Sequence, residues 1–354
     1  MKVSIIVAVY NIEKYLEKCL QSLILTNTHV NEIICVNDGS TDESKQVLER
    51  LQKAYKNIRI INQENQGAAM SRNNALAYVT GDAFMFLDAD DVFLPNSINA
   101  MADYFQQDEH VDIVLGQIGR LNNGTWQSFY THQPIQKFDK VNLAQCPEMM
   151  QSIGPGGKLF SATFKDLRFD EDVVFCEEHT FMIKAYKKAR DVQLLPFIVY
   201  GYHEEKGSVT AQRADRFVNY MSDAIKVRHR VMDTLLLREA RIYYSYRMDE
   251  LIVSYLLQAY LTNNKKLTDP FLDVVTSYMY NMQESDYSGE AMFRIIKVVE
   301  RCGKNWNKSL YKKWQEALLN VGIGRPNYYR FQIEVLPKRV KFRGKLKLKK
   351  KKKK

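Results

Sequence analysis

Val3-Ser4-Ile5-Ile6-Val7-Ala8-Val9 opens the chain as an apolar run, suited to a strand buried on both faces inside a helix-covered sheet. The pattern then keeps switching period. Leu16, Cys19, Leu20 and Leu23 recur on one helical face, and residues 33–36 read as a second buried strand. Ser40 and Glu43 have the spacing of a capping box, which predicts a helix carried by Val47, Leu48 and Leu51. Residues 58–61 read as a third strand, 68–79 as a helix and 83–87 as a fourth strand. A further helix is expected over 95–106, with Pro95 in its first turn and Ile98, Met101, Ala102 and Phe105 facing inward. Strand-helix alternation of this kind predicts an α/β fold, a mostly parallel sheet flanked by helices with its function at the carboxyl ends of the strands.

Farther along the signal changes. Residues 116–157 mix glycine, aromatic and polar residues and read as irregular strands and loops, 177–189 as a helix, and 192–202 as strands interrupted at Pro196. From about residue 213 to 320, apolar residues such as Phe217, Met221, Ala224 and Val231 fall three or four apart, which predicts an appended helical region. No repeat of solenoid length is present. The division expected from this is 1–212, a helical region 213–337 and a basic tail 338–354.

Composition narrows the classes. The 354 residues, 45% hydrophobic and 26% charged, are those of a globular chain rather than a disordered or collagenous one. No apolar run approaches about 18 residues, so neither a transmembrane helix nor a signal peptide is expected, and the sequence alone suggests a cytoplasmic protein. Cys19, Cys35, Cys146, Cys176 and Cys302 are scattered and never form C-x-x-C, which argues against a disulfide framework or zinc site and for buried, reduced thiols. The net charge of +10 is local: residues 338–354 hold twelve Lys and Arg and no acid, and setting them aside leaves about −2. The body is therefore not a nucleic-acid-binding surface by bulk charge.

Two nucleotide-binding motifs fail. The turn after the first strand, Tyr10-Asn11-Ile12-Glu13, has no glycine for a dinucleotide fingerprint, and Gly156-Gly157-Lys158-Leu159 lacks the hydroxyl residue and spacing of a P-loop. What stands at the strand ends instead is acidic: Asp38, then Asp88, Asp90 and Asp91 in Leu87-Asp88-Ala89-Asp90-Asp91. Carboxylates after so apolar a strand must enter a crevice or solvent. They suit a hard divalent cation that bridges to phosphates, or alternatively a solvated loop capping the next helix.

Four segments occur in a telling order: Ser4-Ile5-Ile6-Val7-Ala8-Val9-Tyr10-Asn11, Val36-Asn37-Asp38-Gly39-Ser40-Thr41-Asp42, Asn65-Gln66-Gly67-Ala68 with Ser71-Arg72-Asn73, and Leu87-Asp88-Ala89-Asp90-Asp91. Together they resemble the N-terminal half of family-2 glycosyltransferases of the bacterial surface-polysaccharide type, whose fold is the GT-A nucleotide-sugar-binding fold. The resemblance is specific to about residue 105 and persists more weakly to about 212. Ala8 stands where the family usually has proline, a departure that touches conformation rather than chemistry.

The resemblance implies that Val9, Tyr10 and Asp38 hold the nucleobase, commonly uracil, with a carboxylate accepting the imide N–H. It places Arg72 by the ribose or diphosphate, where a guanidinium fork suits phosphate oxygens; an ion pair with a neighbouring acid is the alternative. It makes Asp88 a ribose and metal contact, Asp90 the principal ligand of Mn²⁺ or Mg²⁺, and Asp91 either a supporting or sugar contact or the cap of the next helix. Phe175-Cys176-Glu177-Glu178-His179-Thr180-Phe181 resembles the family's Glu-Asp-x-x-Phe motif. Glu178 then stands in the place of the general base, a longer arm than the usual Asp, with Glu177 as the fallback. Tyr200-Gly201-Tyr202-His203 and Lys206-Gly207-Ser208 resemble the closing segment over the diphosphate. His203 is there a metal ligand or a hydrogen-bonded structural residue, and Lys206 a phosphate contact or a solvated loop residue.

The implied activity is metal-assisted, inverting transfer from a nucleotide-sugar, a UDP-sugar by the family's habit, to a glycan or lipid-linked acceptor. A non-catalytic nucleotide- or carbohydrate-binding protein of the same fold is the alternative, motivated by Glu178. Nucleic acid is not an expected partner. In the tail, Val340-Lys341-Phe342-Arg343 and Lys345-Leu346-Lys347-Leu348 set apolar groups among the charges. That suits an anionic membrane surface, hence a peripheral place on the inner face of the plasma membrane, or else a solvated tail.

Overall fold

The opening apolar run becomes β1 (Val3–Val9), buried along its length apart from Ala8, in a computed structural model that describes residues 1–203, 212–263 and 265–323. In chain order follow α1 (Glu13–Ile24), β2 (Val30–Asp38), α2 (Ser44–Ala54), β3 (Ile58–Gln63), α3 (Gly67–Leu76), β4 (Ala83–Asp88), β5 (Val92–Phe93) and α4 (Ser97–Gln107). Next come β6 (Val111–Asn122), β7 (Thr125–Ser128), β8 (Asp139–Val141), β9 (Lys158–Ser161), α5 (Glu177–Lys188) and β10 (Asp191–Tyr202). The elements described after β10 are helical: α6 (Phe217–Thr234), α7 (Arg238–Leu251), a π-type stretch Ile252–Leu257 running into α8 (Gln258–Thr262), then α9 (Asp269–Gln283), α10 (Gly289–Cys302) and α11 (Lys308–Asn320).

One ten-stranded sheet runs β3-β2-β1-β4-β9-β6-β10-β5, with β7 beside β6 and β8 beside β10. The strands β3, β2, β1 and β4 are mutually parallel, as the alternating first hundred residues predict. β9 inserts antiparallel between β4 and β6, which breaks the parallel order next to the strand that carries the acids. Leu16, Cys19, Leu20 and Leu23 of α1 are all buried against this sheet, so the predicted face is the observed one.

Several expectations need correction. Ser40 does not cap α2: its Oγ accepts from Asn11 N at 3.2 Å, and the helix starts at Ser44, whose N–H donates to Asp42 Oδ1 at 3.0 Å. Pro95 precedes α4 rather than opening it, because Asn96 takes a left-handed conformation (φ 60°) between them. Residues 191–202 form a single strand, and Pro196 marks only a register irregularity between Leu194 and Ile198. Of the five cysteines, Cys302 is exposed while the others are buried.

The described residues divide into two compact units, one of residues 1–203 with His229–Tyr244, the other of 212–228 with 245–263 and 265–323. The first holds the sheet. In the second, the wholly buried Arg228 donates to Asn281 O, Asn281 Oδ1 and Ser285 Oγ and lies 3.4 Å from Asp249, so its charge is paired as burial demands. Among the described residues no helix is long and apolar enough to cross a membrane.

Candidate active site

The carboxyl ends of β1 and β2 are laced together by side chains. Asn11 is held at φ 48°, and its Oδ1 accepts from Thr41 N at 2.7 Å and Asp42 N at 3.4 Å. A cavity of about 280 Å³ opens here, lined by Asn11, Ile12, Glu13, Lys14, Tyr15, Thr41 and Asp42. Val9 is buried and pairs with Asn37, whereas the neighbouring Tyr10 is 50% exposed and leaves its ring free to stack. Asp38 is buried and occupied by the protein: it accepts from Gln63 Nε2 at 2.7 Å and from the backbone N–H groups of Gln66 and Gly67, both at 2.8 Å. Its carboxylate therefore caps α3, which begins at Gly67 (φ +88°).

From α3 the buried Arg72 reaches two acids at once. Nη2 donates to Asp88 Oδ1 at 2.9 Å at the end of β4, and Nη1 donates to Glu177 Oε1 at 3.2 Å at the start of α5. The ring of Phe169 lies 5.4 Å beneath the guanidinium, and Asn73 fixes Phe169 by a reciprocal pair of backbone bonds. Burial opposes the charge, but Asp88 and Glu177 outweigh it and raise the Arg72 pKa. Of the two sequence alternatives for Arg72, the ion pair is present, and it joins two parts of the expected site.

The acids after β4 are not alike. Asp88 and Asp90 are both half-buried, Asp88 with 47% of its side chain exposed, while Asp91 is buried. Asp91 Oδ1 accepts from His203 N at 2.8 Å, and the Tyr200 hydroxyl accepts from Asp88 N at 3.1 Å. Burial, then Asp88 and Asp90, push the Asp91 carboxyl up to about 8 despite the His203 N–H. Crowded carboxylates of this kind form a patch of negative potential that a cation would relieve. Asp88 and Asp90 offer the oxygen donors that Mn²⁺ or Mg²⁺ prefers. Among the described residues no three His, Cys, Asp or Glu side chains gather into a metal-holding group.

His203 is held by neighbours rather than by acids through its ring: Nε2 lies 3.4 Å from Lys18 Nζ and the ring meets Trp126 edge-on at 5.8 Å. Burial and then Lys18 lower its pKa, which favours neutral imidazole. Lys206 lies outside the described residues. Lys158, from the failed P-loop segment, is wholly buried; its ammonium donates to Ser152 Oγ at 2.7 Å, Gly154 O and Gly156 O, and burial lowers its pKa to about 7.

On the other side of Arg72, Cys176 (φ 65°) turns the chain into α5, whose first turn presents Glu177 and Glu178. Burial and then Glu178 push Glu177, 19% exposed, up to about 8 against the pull of Arg72. His179 Nε2 stands 3.9 Å from Glu178 Oε1, and Nδ1 is 3.0 Å from the Tyr244 hydroxyl. Arg230 braces the preceding loop through Asp170 at 3.0 Å and Asp172 at 2.8 Å. Tyr200 and Tyr244 carry no role in the sequence; Tyr200 opens the quoted closing segment, Tyr244 stands in no motif, and their partners are distant in sequence.

The family model described as Glycosyl transferase family 2 matches residues 4–171. The chain is 32% identical over 355 residues to a Staphylococcus aureus protein named "Putative glycosyltransferase TagX", across 99% of this chain and 100% of TagX. The chain belongs to glycosyl transferase family 2. A poly(ribitol-phosphate) beta-glucosyltransferase of Bacillus spizizenii is 28% identical over 239 residues, 64% of this chain and 36% of that one. S. aureus TarS 1–349 in complex with UDP-GlcNAc superposes with a TM-score of 0.64 at 19% identity, over 79% of this chain and 81% of TarS. The fold is thus GT-A, with a C-terminal helical region, and this family-2 member is a glycosyltransferase.

Proposed function

We propose that this glycosyltransferase moves a sugar from a UDP-sugar to a hydroxyl of a polyol-phosphate surface polymer of the teichoic-acid type, with inversion at the anomeric carbon. The observation that carries the reading is Arg72, which ties the donor-side acid Asp88 to the acid pair of α5 across one crevice. A similar fold in TarS holds UDP-GlcNAc, and a relative acts on poly(ribitol phosphate), which supports the donor and acceptor classes. Tyr10 offers its exposed ring to the base, and Asp38, already fixed by α3, orients the remaining lone pairs of its carboxylate toward an imide N–H. Asp88 and Asp90 would hold Mn²⁺ or Mg²⁺, which would neutralise the charge on the departing diphosphate. Glu178 takes the proton of the acceptor hydroxyl, and Glu177, bound to Arg72, stands beside it in the first turn of α5.

The test is release of the nucleoside diphosphate from a panel of UDP- and GDP-sugars by the full chain, with Mn²⁺ and with a chelator. The reading expects release from one or a few sugars, only with metal. Release unaffected by the chelator would remove the metal from the account, and release from GDP-sugars alone would remove uracil.

A further inference from the structure

The division expected from the sequence falls at residue 212, yet His229–Tyr244, the end of α6 and the first half of α7, belongs to the same compact unit as the sheet. This stretch meets α5 at both of its ends. In the last turn, Lys187 Nζ donates to Thr234 O at 2.9 Å. In the first turn, the Tyr244 hydroxyl stands 3.0 Å from His179 Nδ1, and the two rings meet edge-on with centroids 5.9 Å apart. Both side chains are buried. An imidazole that accepts a hydrogen bond at Nδ1 carries its proton on Nε2, and Nε2 is the nitrogen that lies 3.9 Å from Glu178 Oε1.

The same turn is held from the loop before it. Arg230 donates from both Nη atoms to the Asp172 carboxylate at 2.8 Å, and its Nη1 lies 3.0 Å from Asp170 Oδ2. That oxygen also accepts from Thr180 Oγ1 at 2.6 Å, while Asp170 N donates to Glu177 O at 3.4 Å. Residues 177 and 180 are therefore tied through Asp170, and residue 179 through Tyr244. Glu178 projects from a turn whose neighbours on either side are fastened to α6 and α7.

We infer that Tyr244 and Arg230 are positioning residues for Glu178. Tyr244 donates to His179 Nδ1 and so sets the proton-bearing Nε2 beside the carboxylate, and Arg230 holds, through Asp170, the backbone turn from which Glu178 projects. The inference rests on the reading of Glu178 as the base that deprotonates the acceptor hydroxyl. Neither residue touches the reactants. Their contribution is aim, because a reacting group misplaced by about 1 Å can cost roughly 10²-fold in rate.

The test is steady-state transfer by the full chain, with Mn²⁺, from the UDP-sugar that the wild type accepts to poly(ribitol phosphate). Tyr244→Phe and Arg230→Lys are each measured alone and combined with Glu178→Gln. Tyr244→Phe keeps the buried ring against His179 and removes only the hydroxyl. Arg230→Lys keeps the charge but not the fork that spans Asp170 and Asp172. Each variant should lower kcat roughly tenfold, the scale of one lost hydrogen bond, with KM for the UDP-sugar unchanged within about twofold. In the Glu178→Gln background neither should lower kcat further, because the group that they aim is gone. A role in stability alone would instead lower the rate by the same factor in both backgrounds, and that result would overturn the inference. Wild-type kcat in either variant, or a loss carried by KM, would overturn it too. Wild-type turnover in Glu178→Gln alone would strike the base assignment itself, a failure told apart because it is read from that variant by itself.

Discussion

At the residue scale the two acids of α5 have different surroundings. Glu177 touches Arg72, while burial and then Glu178 push its carboxyl up to about 8, and Glu178 faces His179 at 3.9 Å. Glu178→Gln should leave UDP binding intact and lower turnover by roughly 10²-fold or more, the usual loss for a general base. Glu177→Gln retains a neutral donor and should keep much of the activity; steady-state rates for the two variants decide between them. Stability gives a second readout. A carboxyl raised in the folded state holds its proton longer than the unfolded chain does, so its contribution is full below about pH 4.5 and is lost as pH rises toward about 8. Urea unfolding at about pH 5 and pH 9 should therefore show a smaller fall in stability for Glu177→Gln than for the wild type, and equal falls would refute the assignment.

Elements rather than residues explain Asp38. Its two bonds to the backbone at the start of α3 make it a helix cap as well as a base contact. Asp38→Ala should thus cost about 1–3 kcal/mol of stability, measured by denaturant unfolding without any ligand, because buried N–H groups lose their acceptor. A variant as stable as wild type would leave Asp38 to UDP alone. This cap was not legible in the sequence, since Asp38 and Gln66 lie 28 positions apart, whereas the local box suggested by Ser40 and Glu43 is diverted to Asn11. β1 to β4 and α1 were legible because periodicity is a local property and their buried faces are continuous. β9 was not, because its placement antiparallel between β4 and β6 is decided by partners distant in sequence. Arg72 and Glu177 could be named from motifs, but their bond spans 105 positions and only the fold reveals it.

For the whole molecule, the sequence sets a nearly neutral body beside a tail of twelve basic residues, which lies outside the described structure. Each basic residue near an anionic leaflet contributes about 1 kcal/mol, so even part of the tail would hold the enzyme at a membrane where a lipid-linked acceptor is built. Co-sedimentation should show binding to anionic vesicles that weakens with salt and is lost in a chain ending at Leu336; binding to neutral vesicles, or none lost on truncation, would defeat this. The central claim is that one crevice, bridged by Arg72, performs inverting transfer from a UDP-sugar. Its most direct measurement is the anomeric configuration, by NMR, of the product formed from the α-linked UDP-sugar it accepts and a poly(ribitol phosphate) acceptor with Mn²⁺ present. The account predicts a β-linked sugar with one UDP released per linkage; an α-linked product would contradict it.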